Sequence, residues 1–434
     1  MRPRSPDLED RRALAAGGDL KIAWSFPARG EPLQSSRGDA VRARQLIRAL
    51  REAGHEVEAI ADSAAPLARA RVTLYRHLVR RALPRAWALS LRDLLRPLHA
   101  RGQARRVVAA ARRCDAAVLV ESQVHLAPSG PIAASRTALP LLLDDCSPPG
   151  EELALGPGLQ ALTDRIWRRQ AAAASILTVS SRALQRRLAQ EGALPERVRV
   201  LPNGVDLSAY PAADRARGKR RFEAPVDACW IAFVGSFQPW HRVELLVAAV
   251  AGLPRSERVV LWLVGDGPGR EAALASARAL GIAEEIRAPG ALPPERVCDL
   301  LQACDIGVLP ATNEYGQPMK LLEYGAAGLA ILAPEVETVL EVLPSREEVA
   351  LFPPGELARL REELGRLVRD EPLRRSLGAA ARRRVEAAGS WQRRGQELVA
   401  LLHEAIEGAA PARSTQGGRG LERPRAPRRA ASAD

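Results

Sequence analysis

The chain has 434 residues, of which 47% are apolar, and a formal net charge of +13. This length predicts two domains, and the composition excludes a disordered or fibrous chain. No stretch of about 18 apolar residues is present to span a bilayer, and the first residues lack the apolar centre of a secretory signal peptide. The five cysteines lack metal-ligand spacing, which argues against a disulfide framework or a zinc site and favours a cytoplasmic protein.

The first half of the chain alternates predicted strands and helices. Residues 1–19 are expected to form a flexible extension, and residues 20–209 a Rossmann-like domain with a parallel sheet. After the first strand comes a loop over residues 25–39, and then a helix over residues 40–53 with apolar side chains at helical spacing. Sheets of this kind bind ligands beyond the carboxyl ends of their strands.

Most of the positive charge lies in residues 66–113, which contain 13 arginines and a single acidic residue, Asp93. Pro84 and Pro97 bound a predicted helix with arginines on one side and apolar residues on the other. The apolar face would pack either on the first domain or on a membrane surface. The charge favours an anionic partner, such as the inner face of a membrane. Nucleic acid is not expected, because no nucleic-acid-binding motif accompanies the arginines.

The second half repeats the alternation of strands and helices. Residues 210–225 are expected to be a linker, and residues 226–389 a second Rossmann-like domain. The predicted fold is therefore α/β, with two Rossmann-like domains whose parallel sheets face a central cleft. The final helix, residues 390–408, is a candidate to pack back on the first domain. Residues 409–434 are expected to form a disordered basic tail.

Two glycine-rich loops follow predicted strands of the second half. Gly235 and Ser236 come after the first of these strands, and Gly265 and Gly267 after the second. Each loop precedes a helix whose amino end favours a phosphate group. A tight connection between strand and helix explains the glycines equally well. The loops alone leave both interpretations open.

Residues 315–328 are a stronger candidate for a nucleotide site. A helix is predicted to begin after Pro318, which places backbone N–H groups and Lys320 where they could bind a diphosphate. Glu323 lies one turn further on the same side and could accept hydrogen bonds from a ribose diol. The alternative for Glu323 is a solvated helix glutamate, which its apolar neighbours disfavour. Lys320 is one of only three lysines in the chain.

The order and spacing of these segments resemble family 4 of the retaining glycosyltransferases. The resemblance covers about residues 20–408 and is strongest in the second half. It rests on residues 201–206, 233–241, 264–268, 303–310 and 320–328. Residues 318–324 are similar to a branch of the family with a Pro-x-Lys-x-x-Glu-Tyr donor motif.

This resemblance implies a GT-B fold in which a nucleotide diphosphate-sugar lies in the cleft, mostly on the second domain. Glu323 matches the carboxylate that binds the ribose. Three positions depart from the family, since His241 replaces a lysine, Ser236 an arginine and Tyr315 a glutamate. The donor-binding residues implied are Gly235, Ser236, His241, Gly265, Gly267, Tyr315, Pro318, Met319, Lys320 and Glu323.

The implied chemistry needs neither a metal nor a cofactor. Helix N–H groups and cations can stabilise the departing diphosphate, and the sequence has no Asp-x-Asp motif to bind Mg²⁺ beside it. In a retaining, front-face substitution the departing phosphate takes the proton of the acceptor. Asp144 and Asp145 form an acidic pair at a strand end, for which a structural role is favoured over one facing the acceptor.

The first domain is expected to bind the acceptor. Glu121 and His125 lie just beyond a strand end, where the family often has a histidine near the reacting sugar, and are the catalytic candidates. For a lone histidine the alternative is a structural role. The acceptor-side residues implied by the resemblance are Gly30, Arg37, Gly38 and Asp39.

The predicted function is transfer of a sugar, with retention, to a cell-envelope or polysaccharide-type acceptor, either a glycan or a lipid-linked molecule. One alternative is a sugar-nucleotide epimerase or a phosphorylase on the same fold, although no lysine has a suitable context for pyridoxal phosphate. The other is a catalytically decayed paralogue acting as a binding or scaffold protein, which the residues at positions 236, 241 and 315 favour.

Overall fold

The computed structural model describes residues 18–27, 33–35, 37–61, 94, 96–151, 159–211 and 215–408. Within these ranges the chain forms two six-stranded parallel sheets, one in each half, covered by helices. The predicted α/β fold with two Rossmann-like domains is therefore confirmed. The predicted extension, most of the basic segment and the predicted C-terminal tail lie outside the described residues.

The first sheet contains the strands β1 (Lys21–Phe26), β2 (Glu56–Ala61), β3 (Val118–Ser122), β4 (Leu141–Asp145), β5 (Ile176–Val179) and β6 (Val198–Val200). Their spatial order is β2-β1-β3-β4-β5-β6. The helices of this half are α1 (Gly38–Glu52), α2 (Arg96–Arg113), α3 (Ser129–Thr137), α4 (Leu159–Ala173) and α5 (Arg182–Gln190).

The second sheet contains β7 (Cys229–Val234), β8 (Val259–Val264), β9 (Ile286–Gly290), β10 (Ile306–Val308), β11 (Ala330–Pro334) and β12 (Ala350–Phe352). Their spatial order is β12-β11-β10-β7-β8-β9. The helices are α6 (Arg215–Lys219), α7 (Val243–Ala251), α8 (Arg270–Ala279), α9 (Pro294–Ala303), α10 (Met319–Ala326), α11 (Glu337–Leu340), α12 (Leu357–Arg369), α13 (Glu371–Ala388) and α14 (Trp391–Gly408).

The central strands are buried on both faces because each sheet lies between layers of helices. In β7, Trp230 belongs to one hydrophobic cluster and Ile231 to another on the opposite face. Trp24 and Ala23 of β1 likewise belong to two clusters on opposite faces of the first sheet. This burial explains why the strands are continuous apolar runs rather than alternating ones.

The strand order determines where a ligand can bind. In the first sheet the chain reverses direction across the sheet between β1 and β3, and in the second between β7 and β10. Such a reversal opens a crevice at the carboxyl ends of the two strands. The segments that follow β7 and β10 contain the candidate donor residues other than Gly265 and Gly267, which follow β8. The candidate acceptor-side residues follow β1, and the candidate His125 follows β3.

The last helix, α14, packs on the first domain. Trp391, Leu398 and Leu402 lie in the same hydrophobic cluster as Trp24 of β1 and Leu46 of α1. A backbone bridge joins residues 205 and 390, where the chain enters and leaves the second domain. The chain therefore ends, as far as the structure describes it, on the domain where it began.

The structure adds three elements that the sequence analysis did not anticipate. These are the short strand β12, the four-residue helix α11 and the long helix α13. In addition, the short helix α6 lies inside the stretch expected to be a linker.

Candidate donor and acceptor site

The donor site is defined here as the amino end of α10 with Lys320, Glu323 and His241. Pro318 is the residue before α10 and has an extended backbone, so the helix begins sharply at Met319. The Nζ atom of Lys320 lies 3.1 Å from Nε2 of His241, which ends the loop after β7. The strand order thus brings together two candidates that are 79 residues apart.

The charges at this site are set by burial. Desolvation lowers the pKa of Lys320 to about 8, although Glu323 opposes the shift. Desolvation and the neighbouring Lys320 lower the pKa of His241 to about 3. Burial also raises the pKa of Glu323 to about 7, again opposed by Lys320. At neutral pH His241 is therefore uncharged, and Lys320 is the cation of this group.

The aromatic side chains beneath the site restrict Lys320. Its Nζ lies 5.5 Å from the ring centroid of Phe233, over the face of that ring. Tyr324, the next residue after Glu323, accepts a hydrogen bond from the N–H of Val234 at 3.0 Å. This bond ties α10 to the end of β7. The sequence analysis did not identify Tyr324 as a residue that positions the site. The available signal was its place directly after Glu323 in the Pro-x-Lys-x-x-Glu-Tyr motif.

Gly235 is in contact with the donor site itself. A Cβ atom at this position would lie 3.3 Å from Cε of Lys320 and 3.2 Å from the Phe233 ring. A side chain at position 235 would therefore crowd the ammonium group. Ser236, the next residue, is exposed at the surface of the same loop.

The other two glycines of the donor list have a packing role. Gly265 and Gly267 have positive φ angles, 120° and 150°. A Cβ at Gly265 would lie 1.9 Å from the carbonyl oxygen of Gly235, and one at Gly267 would lie 1.7 Å from that of Ser236. The two glycine-rich loops are thus packed backbone against backbone. Their contribution to donor binding stays a prediction.

Tyr315 occupies a different environment from the rest of the donor list. Its side chain is buried in a hydrophobic cluster of the first domain that includes Trp167 and Leu184. Its carbonyl oxygen accepts a hydrogen bond from the Ser181 hydroxyl. The residue therefore joins the loop before α10 to the first domain, and direct contact with a donor stays a prediction.

The acceptor-side loop meets the donor helix. A Cβ at Gly38, the first residue of α1, would lie 3.9 Å from Sδ of Met319, and Met319 packs against the first-domain core. Arg37 and Asp39 are paired at 3.1 Å at the same end of α1. Gly30 lies outside the described residues. Gly38 is thus placed beside the donor helix, and Arg37 and Asp39 are its neighbours in the chain.

Glu121 is fully buried and acts as a cap. Its carboxylate accepts hydrogen bonds from the Ser129 hydroxyl and the Gly130 N–H at the start of α3. Desolvation raises its pKa to about 8, despite these bonds. This geometry ties the carboxylate to the start of α3, and a catalytic role for Glu121 stays a prediction.

His125 lies on the loop after β3 and is 7% exposed. Its Nε2 is 3.1 Å from the Ser147 hydroxyl, and its Nδ1 is 3.4 Å from Nε2 of Gln123. Burial and the charge of Arg96 lower its pKa to about 4. The imidazole is therefore neutral at physiological pH and held from both sides.

The acidic pair at the end of β4 is structural, as favoured from the sequence. Asp144 forms a buried ion pair with Arg42 at 2.8 Å. Asp145 accepts a hydrogen bond from Nε1 of Trp167 at 2.8 Å. Within the described ranges, no group of three or more His, Cys, Asp or Glu side chains could hold a metal ion.

The same ranges contain no helix that is both long enough and apolar enough to cross a bilayer. Helix α2 forms part of the basic segment and is amphipathic. Its buried side includes Ala104 and Val107, whereas Arg101, Arg105 and Arg112 are exposed. The apolar face of this part of the segment is therefore packed on the first domain.

Two family models match the chain in succession. Residues 37–209 match Glycosyltransferase Family 4, and residues 214–384 match Glycosyl transferases group 1. The boundary between the matches falls where the structure passes from the first sheet to the second.

Curated relatives include two bacterial D-inositol 3-phosphate glycosyltransferases. The protein from Geodermatophilus obscurus is 33% identical over 237 residues, which cover 51% of this chain and 50% of the relative. The protein from Acidothermus cellulolyticus is 31% identical over 205 residues, or 44% of this chain and 45% of the relative. The chain thus spans about half the length of the curated relatives it matches.

Solved structures share the whole architecture. Anabaena HepE in complex with UDP has a TM-score of 0.64 and 16% identity, and the match covers 87% of this chain and 98% of that one. Sucrose-phosphate synthase from Thermosynechococcus elongatus has a TM-score of 0.67 and 18% identity, with 87% and 97% covered. The fold is that of the GT-B glycosyltransferases. The first half of the chain matches a family 4 model, and the second half matches a group 1 model.

Proposed function

We propose that the chain transfers a sugar, with retention of configuration, from a nucleotide diphosphate-sugar to a glycan or lipid-linked acceptor of the cell envelope or a polysaccharide, without a metal. The observation that supports this most is the contact between Lys320 and His241 at the amino end of α10, at the crevice between β7 and β10. A helix amino end with an adjacent cation is a favourable place for a diphosphate.

The roles of the donor-site residues follow from their chemistry. Backbone N–H groups at the start of α10 and the Lys320 ammonium would bind the diphosphate and stabilise its charge as the sugar departs. Glu323, whose pKa is about 7 beside Lys320, would in its ionised form accept hydrogen bonds from the ribose hydroxyls. His241 would hold Lys320 in place as a neutral partner rather than supply a second charge.

The acceptor would lie against the first domain. Gly38 and Met319 bring the start of α1 next to the donor helix, so an acceptor hydroxyl bound there would be near the sugar. His125, neutral and held by Ser147, is the first-domain candidate to contact the substrates. The relatives named D-inositol 3-phosphate glycosyltransferases support a small phosphorylated acceptor as a further candidate.

The arginines exposed on α2 favour an anionic membrane surface as a partner. Leu98 in the first turn of this helix is 56% exposed, and Leu94 just before the helix is 47% exposed. Exposed apolar side chains beside a basic face are typical of a surface that meets anionic lipid. A protein working at the cytoplasmic face of a membrane would reach a lipid-linked acceptor there.

The proposal is tested by titrating the protein with UDP and with GDP in a calorimeter and by assaying hydrolysis of the corresponding sugar donors. Lys320→Ala and Glu323→Ala should each weaken nucleotide binding at least about tenfold, because each removes a charged contact. Glu362→Ala is the matched control, since Glu362 is an exposed helix glutamate that pairs only with Arg359 among the contacts described.

Unchanged affinity in both donor-site variants would remove the assigned pocket. Nucleotide binding without turnover of either sugar donor would favour the alternative of a catalytically decayed paralogue. No observation on the described residues of this structure supports that alternative. Absence of any nucleotide binding by the wild-type protein would contradict the proposed function as a whole.

A further inference from the structure

A buried arginine of the first domain is fully occupied by hydrogen bonds. Arg42 of α1 is 1% exposed. Its Nε and Nη2 donate to the carboxylate of Asp144 at 2.9 and 2.8 Å, and Nη2 also donates to the carbonyl of Leu201 at 2.9 Å. Its Nη1 donates to Oδ1 of Asn203 at 2.9 Å and to the carbonyl of Pro202 at 3.3 Å. Arg42 therefore binds the segment where the chain leaves the first domain.

Asn203 extends this cluster to the second domain. Its backbone N–H donates to Oε1 of Gln317 at 2.5 Å, and its Nδ2 donates to the backbone carbonyl of Gln317 at 3.2 Å. Only Pro318 separates Gln317 from Met319, the first residue of α10. The bonds between Asn203 and Gln317 thus lie directly before the helix end that forms the donor site.

The orientation of the Asn203 amide is dictated by Arg42. A guanidinium group can only donate hydrogen bonds, so the amide must turn its oxygen toward Arg42. The Nδ2 group then faces the backbone carbonyl of Gln317 and donates a hydrogen bond to it. Arg42 therefore acts on the second domain through Asn203, although it contacts only first-domain atoms among the partners described.

We propose that Arg42 and Asn203 are positioning residues of the donor site, which hold the loop before α10 in register from the first domain. This inference rests on the proposed function, because the register matters only if α10 binds a diphosphate. The protein would bind its donor fully only while the two domains keep this arrangement.

The loop is also held at a second point. Tyr315 packs in the first-domain cluster and accepts a hydrogen bond from Ser181. Loss of the Asn203–Gln317 bonds would therefore shift the start of α10 rather than release it. The expected effect is a moderate loss of donor affinity and not its abolition.

A purely structural role for the cluster is the competing explanation, and a matched control separates the two. The Thr178 hydroxyl donates to Asp144 at 2.8 Å, and neither Asn203 nor Gln317 is among its described hydrogen-bond partners. Thr178→Val should lower the melting temperature and leave nucleotide affinity unchanged. Asn203→Asp keeps the acceptor for Arg42, removes the Nδ2 donor to Gln317 and places a carboxylate oxygen against the Gln317 carbonyl.

The experiment is calorimetric titration of UDP and GDP into the full-length wild-type protein and into Asn203→Asp, Gln317→Ala, the double variant and Thr178→Val. Both single variants should raise the Kd of the nucleotide that binds by about fivefold to tenfold, the size of one lost hydrogen-bond contact. The double variant should bind more weakly than either single one, because the two changes remove different hydrogen bonds between the same two residues.

Each outcome is decisive. Wild-type affinity in Asn203→Asp and Gln317→Ala overturns the positioning role while the proposed function stands. Weakening in Gln317→Ala alone also overturns it, because Gln317 would then contact the nucleotide directly. Equal weakening in Thr178→Val shows a general loss of structure and contradicts the inference. Absence of nucleotide binding by the wild-type protein overturns both this inference and the proposed function.

Discussion

At the scale of single residues, the donor site has an unusual distribution of charge. His241 stands where the resembled family has a lysine, and burial keeps its imidazole neutral. Lys320 is left as the cation of the group, and its own pKa is lowered to about 8 by the same burial. Donor binding should therefore depend on the protonation of Lys320, beside Glu323 with a pKa of about 7.

The first prediction concerns the pH dependence of nucleotide binding. Lys320 loses its proton as the pH rises through about 8, so affinity for a nucleoside diphosphate should fall several-fold from about pH 7 to about pH 9. Lys320→Arg should remove this decline, because a guanidinium stays charged over the whole range. Calorimetry at a series of pH values measures both. The same decline in both proteins would show that another group titrates.

A second prediction concerns Glu121, whose pKa in the folded protein is raised from 4.5 to about 8. Its contribution to stability is complete below about pH 4.5 and is lost as the pH rises toward 8, because ionisation favours the unfolded chain. Glu121→Gln should therefore melt at an increasingly higher temperature than the wild type as the pH rises from 5 to 8. A constant difference across this range would contradict the assignment.

At the scale of elements, the two glycine-rich loops support each other. The third prediction is that Gly267→Ala destabilises the protein by about 1–3 kcal/mol or more, since the new methyl group meets both a positive φ and the Ser236 carbonyl. Gly290→Ala is the control, because Gly290 also has a positive φ but nothing within 4 Å of a Cβ. Urea denaturation should show the larger loss for position 267. Equal losses would mean that loop packing contributes little.

Most of the strands could be predicted from the sequence because they are buried on both faces and hence continuously apolar. The exceptions have physical reasons. Strand β12 has only three residues and is separated from β11 by no helix longer than the four-residue α11, so the alternation of strands and helices did not mark it. Helix α13 includes an arginine-rich stretch that makes the apolar pattern of its buried face hard to recognise in the sequence. Its start was nevertheless signalled by Asp370, whose side chain accepts the N–H of Leu373, and by Pro372 in the first turn.

The candidate site could be predicted in part. The donor residues of α10 could be predicted because the start of the helix, Lys320 and Glu323 lie within a short stretch of sequence. The contact between Lys320 and His241 depends on strand order, which the sequence does not state. The burial of Glu121 and the place of Tyr315 in the first domain depend on packing between elements distant in the chain.

At the scale of the whole molecule, the first domain is completed by residues from the end of the second half. The fourth prediction is that Leu402→Ala in α14 lowers the free energy of unfolding of the first domain by about 2–5 kcal/mol, because Leu402 is fully buried in its core. Glu407→Ala, at an exposed position of the same helix, should have little effect. Urea denaturation followed by tryptophan fluorescence measures both. Similar curves for the two variants would show that α14 is not part of this core.

The two domains meet around the donor helix. The start of α1 contacts Met319, Asn203 binds Gln317, and Tyr315 packs in the first domain. The amino end of α10 is therefore the part of the second domain that both halves of the molecule shape. This is why we place the donor there rather than at the glycine-rich loops alone.

The most direct measurement is a crystal structure of the protein with the nucleoside diphosphate that it binds most tightly. The account predicts that the diphosphate accepts hydrogen bonds from the first N–H groups of α10 and from Nζ of Lys320, with the ribose at Glu323. A nucleotide bound elsewhere, or an amino end of α10 closed by protein in the complex, would contradict it.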